Sequence, residues 1–171
     1  MTLRAVDRED VPFLQEGMND PDVWRHALGP NPAGDAVIED FYENVVADED
    51  AVHCLICDGE EPMGHVSLTS TRYGPNQTMR ARREELAYWL LPAYHGQGYG
   101  GDAASRMIRY AFEDRNMRRL DAQVGAFNED SAGLLESLGF EHEGTLREAT
   151  WFRGEYHDAY WYGLLREDWD G

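Results

Sequence analysis

The chain has 171 residues, with 33 acidic against 15 basic side chains, a net charge of −18 and an isoelectric point near 4.5. That length suffices for one domain with a full hydrophobic core, and that charge argues against a nucleic-acid backbone as ligand. All fifteen basic residues are arginine, and the acidity is spread over Asp7–Asp10, Asp48–Asp50, Asp58–Glu61 and Glu167–Asp170. Dispersed charge of this kind reads as a solvated surface suited to high salt, where self-repulsion is screened. An acidic face that recruits a cationic substrate, such as a polyamine or a basic peptide, is the competing reading. No basic-then-apolar leader opens the sequence, and no run of about eighteen apolar residues occurs. The expectation is a soluble, cytoplasmic protein with no membrane partner.

In chain order, Leu3–Val6 reads as a strand, Arg8–Met18 as a helix capped by Asp7, and Asp22–Leu28 as a second short helix. Gly29–Gly34 reads as a loop, and Val37, Ile38, Phe41 and Val45 mark a further helix. Val52–Cys57 and Met63–Ser70 form a hairpin across Asp58–Pro62. The polar stretch Thr71–Arg83 reads as a loop, followed by a strand over Glu84–Leu91. A glycine-rich loop and a helix follow, then a strand over Arg119–Gly125 and a short helix over Ser131–Leu138. Two long strands turning near Arg153 and Gly154 complete the chain. Cys54 and Cys57 form a Cys-x-x-Cys, but within a strand their side chains point to opposite faces. With no second ligand pair, they read as packing residues, and no metal is expected.

The most informative segment is His95-Gly96-Gln97-Gly98-Tyr99-Gly100-Gly101. It follows the apolar run Leu86–Leu91 and Pro92, and precedes Ala103, Ala104, Met107, Ile108, Ala111 and Phe112 at helical spacing. Strand, glycine loop and helix N-terminus together place converging backbone N–H groups beside a positive dipole end, which suits phosphate or pyrophosphate. The segment lacks the Gly-Lys-Ser/Thr of a P-loop and the Gly-x-Gly-x-x-Gly of a dinucleotide fold.

Its order resembles the acyl-CoA-binding motif of the GNAT superfamily of N-acetyltransferases, Gln/Arg-x-x-Gly-x-Gly/Ala, with His95 departing at the first position. Asn128-Glu129-Asp130-Ser131, then Leu134, Leu135 and Leu138, Gly139-Phe140, Glu143-Gly144 and Arg147 resemble the second half of the same family. Leu3-Arg4, Asn19-Asp20-Pro21 and Tyr162–Trp169 resemble its ribosomal-protein-acetylating branch.

The resemblance implies an α+β fold: a single domain over 1–171 with a mixed, mostly antiparallel seven-stranded sheet, flanked by helices and splayed between strands four and five. It implies direct transfer from acetyl-CoA to a primary amine, either a protein N-terminal amine or a small amine, in a ternary complex. The backbone N–H groups of Gln97, Gly98, Tyr99, Gly100 and Gly101 would hold the pyrophosphate. Trp89, Leu90 and Leu91 would pair their backbone with pantetheine, one N–H polarising the thioester carbonyl. Asn128 would be a further pantetheine contact, or a turn residue.

Glu85 is the favoured base, acting through water, with Glu84 as the alternate; the following strand, where some relatives carry a glutamate, has Gln123. The tyrosine that many relatives use as acid is replaced by Leu135. Ser131 would donate a hydrogen bond to the thiolate, or cap a helix beginning at Ala132. Trp24, Phe41, Tyr42, Tyr73, Trp151, Phe152, Tyr156, Tyr160 and Trp161 line an acceptor pocket or pack the sheet against helices. No nucleic acid is expected as a partner, and a homodimer is compatible with the pattern. A non-catalytic acyl-CoA-binding module and a different acyl donor, such as succinyl-CoA, are the alternative readings.

Overall fold

The computed structural model describes residues 1–23, 33–73 and 79–171, with the main chain alone at 71–73 and 79–81. The strands are β1 (Thr2–Ala5), β2 (Val52–Asp58), β3 (Glu61–Tyr73), β4 (Met79–Leu90), β5 (Arg119–Gly125), β6 (Glu141–Phe152) and β7 (Glu155–Leu165). They form one seven-stranded sheet in the order β1-β2-β3-β4-β5-β7-β6. β1 pairs with β2, β2 with β3, β5 with β7 and β6 with β7, all antiparallel, whereas β4 and β5 run parallel. That parallel ladder is short, joining Arg83–Glu85 to Arg119–Asp121. The expected mixed sheet, opening between strands four and five, is therefore the sheet observed. The helices are α1 (Val11–Asn19), α2 (Asp35–Phe41), α3 (Tyr99–Arg109) and α4 (Glu129–Ser137). No helix among the described residues is long and apolar enough to cross a membrane.

The chain divides into two compact units: Met1–Leu68 with Tyr88–Ala104, and Thr69–Ala87 with Ser105–Gly171. In the first unit, Asp7 accepts from the Glu9 N–H at 3.0 Å while Asp10 accepts from the Asp7 N–H at 3.0 Å, a reciprocal cap that starts a short 3-10 turn leading into α1. Val11 and Leu14 of α1, Val23, Ile38 of α2, Leu55 and Cys57 of β2, and Trp89 of β4 form the buried core of this unit. Each such apolar side chain contributes about 1.5–3 kcal/mol by leaving water. Leu55 and Cys57 share this core while Cys54 does not, as strand alternation expects; both cysteines are free thiols.

In the second unit, Met107, Ile108, Ala111 and Phe112 supply the apolar side of the chain following the glycine loop. Leu120, Ala122 and Val124 of β5 are buried with them, as are Leu135, Phe140, Tyr162 and Leu164.

Three readings of local structure are corrected. Within the polar stretch Thr71–Arg83 expected as a loop, residues 71–73 belong to β3 and 79–83 to β4, because ladder hydrogen bonding does not require an apolar face. The helix expected over Ser131–Leu138 begins two residues earlier, at Glu129, since Asn128 caps it and two acidic residues in the first turn favour the dipole. The helix expected over Arg8–Met18 starts with the 3-10 turn Arg8–Asp10. Of the helix expected over Asp22–Leu28, residues 22–23 are helical, together with residue 21 before them, and 24–32, including Trp24 and most of the Gly29–Gly34 loop, lie outside the described residues, as does the Tyr73 side chain.

A buried pair of imidazoles crosses the first unit. His53 Nδ1 and His65 Nε2 are 3.0 Å apart, with rings stacked at 5.1 Å. Burial, with His53 beside it, depresses the His65 pKa to about 3. An unfolded imidazole titrates near 6.5, so below that pH the unfolded chain binds protons that the folded chain refuses. Stability contributed by this group is present at neutral pH and falls as pH drops from about 6.5 towards about 3. Denaturant unfolding followed between about pH 7 and about pH 4 should show this loss, and His65→Phe should flatten that slope relative to the parent.

Gly17 of α1 lies against the Trp89 indole, and a Cβ there would overlap the ring. Gly17→Ala should cost about 1–3 kcal/mol in urea unfolding by overpacking this contact.

Candidate active site

The site elements begin at the end of β4. The Leu91 N–H donates to the Met63 carbonyl of β3 at 2.8 Å, so the neighbouring residue, Leu90, turns its own N–H and carbonyl to the opposite edge. Of the three residues expected to offer backbone to pantetheine, Leu91 thus has its N–H already committed to the sheet. Trp89 lies in the same alternation as Leu91, and its side chain stacks on Phe13 with ring centroids 5.7 Å apart. Leu90 is left as the residue with a strand-edge N–H. Its carbonyl accepts from His95 Nε2 at 2.9 Å. His95, the departure from the family pattern, therefore ties the glycine loop back to the strand it leaves.

Pro92–Tyr94 makes one 3-10 turn, and the chain then bends through Gly96 at φ +70° and Gly98 at φ +85°. Both are in the left-handed region that side chains rarely adopt, which is why glycine stands there. Gln97 braces the bend by donating from Nε2 to the Ala93 carbonyl at 3.0 Å. α3 starts at Tyr99, and its first internal bond runs from the Asp102 N–H to the Gly98 carbonyl at 3.0 Å. The N–H groups of Tyr99, Gly100 and Gly101 precede that bond and have no intrahelical acceptor. Three such donors at a positive dipole end fit the pyrophosphate of a coenzyme A thioester.

The second unit holds the expected base. The register Arg83↔Arg119, Glu84↔Leu120, Glu85↔Asp121 sends Glu84 to one face and Glu85 to the other. Glu84 is fully buried, and its Oε1 accepts from Arg115 Nε at 2.9 Å and Nη2 at 2.6 Å. That buried ion pair removes Glu84 from contention as the alternate base. Glu85 is half-buried, and its pKa is raised by burial first and by the Asp121 charge second, with Arg83 opposing. A raised carboxylate pKa suits a group that must take a proton near neutrality.

Around Glu85 runs a chain of charges that the sequence reading passed over. Asp121, 2 % exposed, accepts from Arg83 Nε on one oxygen and from Arg119 Nε at 2.7 Å on the other. Arg119 also forks onto Glu143, donating from Nη1 to Oε1 at 2.6 Å. A Cβ on Gly163 would collide with Arg119 and Glu143, so glycine there makes room for the fork. The one signal in the sequence was alternation: an aspartate between Leu120 and Ala122 in a strand points away from the apolar face.

Asn128 caps α4, its Oδ1 accepting from the Ser131 N–H at 3.2 Å. The alternative reading of Ser131 as that cap is overturned, because the helix starts two residues before it and Ser131 sits inside the first turn. Leu135, in place of the tyrosine of many relatives, is a core residue. Among the aromatics, Phe41 meets His53 edge-on and Tyr42 lies under the Arg8 guanidinium. Phe152 stacks on Phe127 at 3.9 Å, while Trp151 and Tyr156 are 54 % and 65 % exposed.

Comparison with known proteins bears on the family and the fold. A protein 27% identical over 92% of this chain and 81% of its own length is the spermidine N(1)-acetyltransferase of Escherichia coli (strain K12). A Bacillus subtilis (strain 168) protein named as a candidate ribosomal N-acetyltransferase, YdaF, is 33% identical over 90 residues, 53% of this chain and 49% of that protein. The crystal structure of spermidine N-acetyltransferase from Vibrio cholerae in complex with CoA and spermine superposes with a TM-score of 0.84. It is 23% identical, over 98% of this chain and 96% of that one, and shows the shared fold. The model of the acetyltransferase (GNAT) domain matches residues 1–141. The chain belongs to the GNAT family of N-acetyltransferases, whose acetyl donor is acetyl-CoA.

Proposed function

We propose that residues 1–171 act as one N-acetyltransferase domain of the ribosomal-protein-acetylating branch, moving an acetyl group to a primary amine, either a protein N-terminal amine or a small amine. The observation that carries this reading is the glycine bend at Gly96 and Gly98 opening α3 with three N–H groups outside its helical ladder. Likeness to YdaF supports the branch, and likeness to a spermidine acetyltransferase supports a small amine.

Acetyl-CoA supplies the acetyl group as a thioester. Backbone N–H groups over Gln97–Gly101 hold its pyrophosphate, with Asn128 as a further contact to pantetheine. The Leu90 N–H polarises the thioester carbonyl as charge builds on oxygen. Glu85 takes one proton from the acceptor ammonium through water, freeing the nitrogen lone pair. Attack then forms the C–N bond and breaks the C–S bond. The Ser131 hydroxyl donates a hydrogen bond to the departing sulfur, and the proton shed by the new amide nitrogen neutralises the thiolate.

Purified protein incubated with acetyl-CoA and a panel of polyamines and N-terminal peptides, at low and multimolar salt, should release thiol in an acceptor-dependent way. Activity confined to high salt would assign the acidity to halophily. Acetyl-CoA binding without release from any acceptor would favour the non-catalytic module. Glu85→Gln should lower kcat by about 10²-fold with little change in acetyl-CoA affinity. Gly98→Ala should instead weaken CoA binding about 10-fold by calorimetry, because alanine at that positive φ strains the cradle by about 1–3 kcal/mol.

A further inference from the structure

The charge chain Arg83–Asp121–Arg119–Glu143 exceeds what the strands need in order to pair, and it surrounds the one carboxylate assigned to chemistry. Asp121 stands beside Glu85 in the parallel register, on the same face. Arg83 is two residues before Glu85 on that face, yet its Nε is directed onto Asp121. Arg119, the register partner of Arg83, takes the other Asp121 oxygen and extends to Glu143 of β6. The β7 residue in register with Asp121 is Gly163, which brings no charge of its own. Among the described residues, the charged groups placed around Glu85 are Arg83 from its own strand, Asp121 and Arg119 from β5, and Glu143 behind Arg119.

We infer that Asp121 is a positioning residue for Glu85: it draws the Arg83 guanidinium away from Glu85 and sets a fixed negative charge beside it, so that Glu85 works as a proton acceptor and not as an ion-pair partner. This rests on the reading of Glu85 as the base. Both effects of Asp121 act in one direction. Its charge disfavours a second carboxylate nearby, and its hold on Arg83 withholds the cation that would stabilise one. Arg119 and Glu143 keep Asp121 in place, which a buried aspartate between two arginines requires.

The test is the pH profile of kcat/KM for the parent, Glu85→Gln, Asp121→Asn and Arg83→Gln, with acetyl-CoA affinity measured in parallel. Asp121→Asn should move the acidic limb to lower pH and reduce the plateau several-fold, because the freed Arg83 turns Glu85 into a weaker base. Arg83→Gln, which removes the opposing cation, should move the limb to higher pH. It also keeps the inference testable should Asp121→Asn not fold. Lower activity in both variants with an unmoved limb would overturn the inference and leave the cluster a purely structural one. A limb that persists in Glu85→Gln would instead overturn the assignment of Glu85 itself, whatever the other variants do.

Discussion

Along β4, consecutive side chains must part to opposite faces, and consecutive main-chain groups to opposite edges. Most of the candidate chemistry follows from that alternation. It separates Glu84 from Glu85, sending one into an ion pair with Arg115 and leaving the other half-exposed beside Asp121. Further along, it commits the Leu91 N–H to β3 and turns the N–H of Leu90 to the other edge. A shift of one residue in the register would exchange these roles, placing Glu85 in the core and swapping the committed N–H of Leu91 with that of Leu90.

The parallel contact between β4 and β5 is a junction of opposed demands. Three residue pairs are enough to set the register, and they bring two arginines, two glutamates, an aspartate and a leucine into adjacent positions. Burying charge is costly unless each group finds partners, and here each of the two most buried carboxylates has guanidinium donors. Arginine suits this better than lysine, because its planar fork reaches two acceptors at once, as Arg119 does between Asp121 and Glu143. In a chain whose basic residues are all arginine, that geometry is available wherever a cation falls.

The glycine loop works by a different physical principle. Its donors come from the main chain, so the requirement is on conformation and not on side-chain identity. Gly96 and Gly98 supply positive φ, Gln97 and His95 tether the bend to Ala93 and Leu90, and α3 leaves its first N–H groups outside the helical ladder. This is why the departure at His95 from the family pattern is compatible with the same cradle: its side chain braces the loop while the amides keep their direction.

The sequence by itself determined the glycine loop, the strand-to-helix order around it, the β5 span and the final hairpin, because these depend on local rules: glycine conformation, apolar periodicity and turn chemistry. The candidate base at Glu84 or Glu85, and the candidates Ser131 and Asn128, came instead from the resemblance to the family, with strand alternation adding only that the two glutamates part to opposite faces. The sequence offered Ser131 as the cap of α4 and Asn128 only as a turn residue, whereas Asn128 is the cap, since both residue types cap well and the choice depends on where the helix starts. Nor did it show that polar residues around Arg83 belong to a strand. Tertiary structure decided the partners: Arg115 for Glu84, Asp121 for Arg83, Met63 for Leu91. Each joins residues 28 or more positions apart, and such pairings are set by sheet register and ion-pair geometry, which no local pattern encodes.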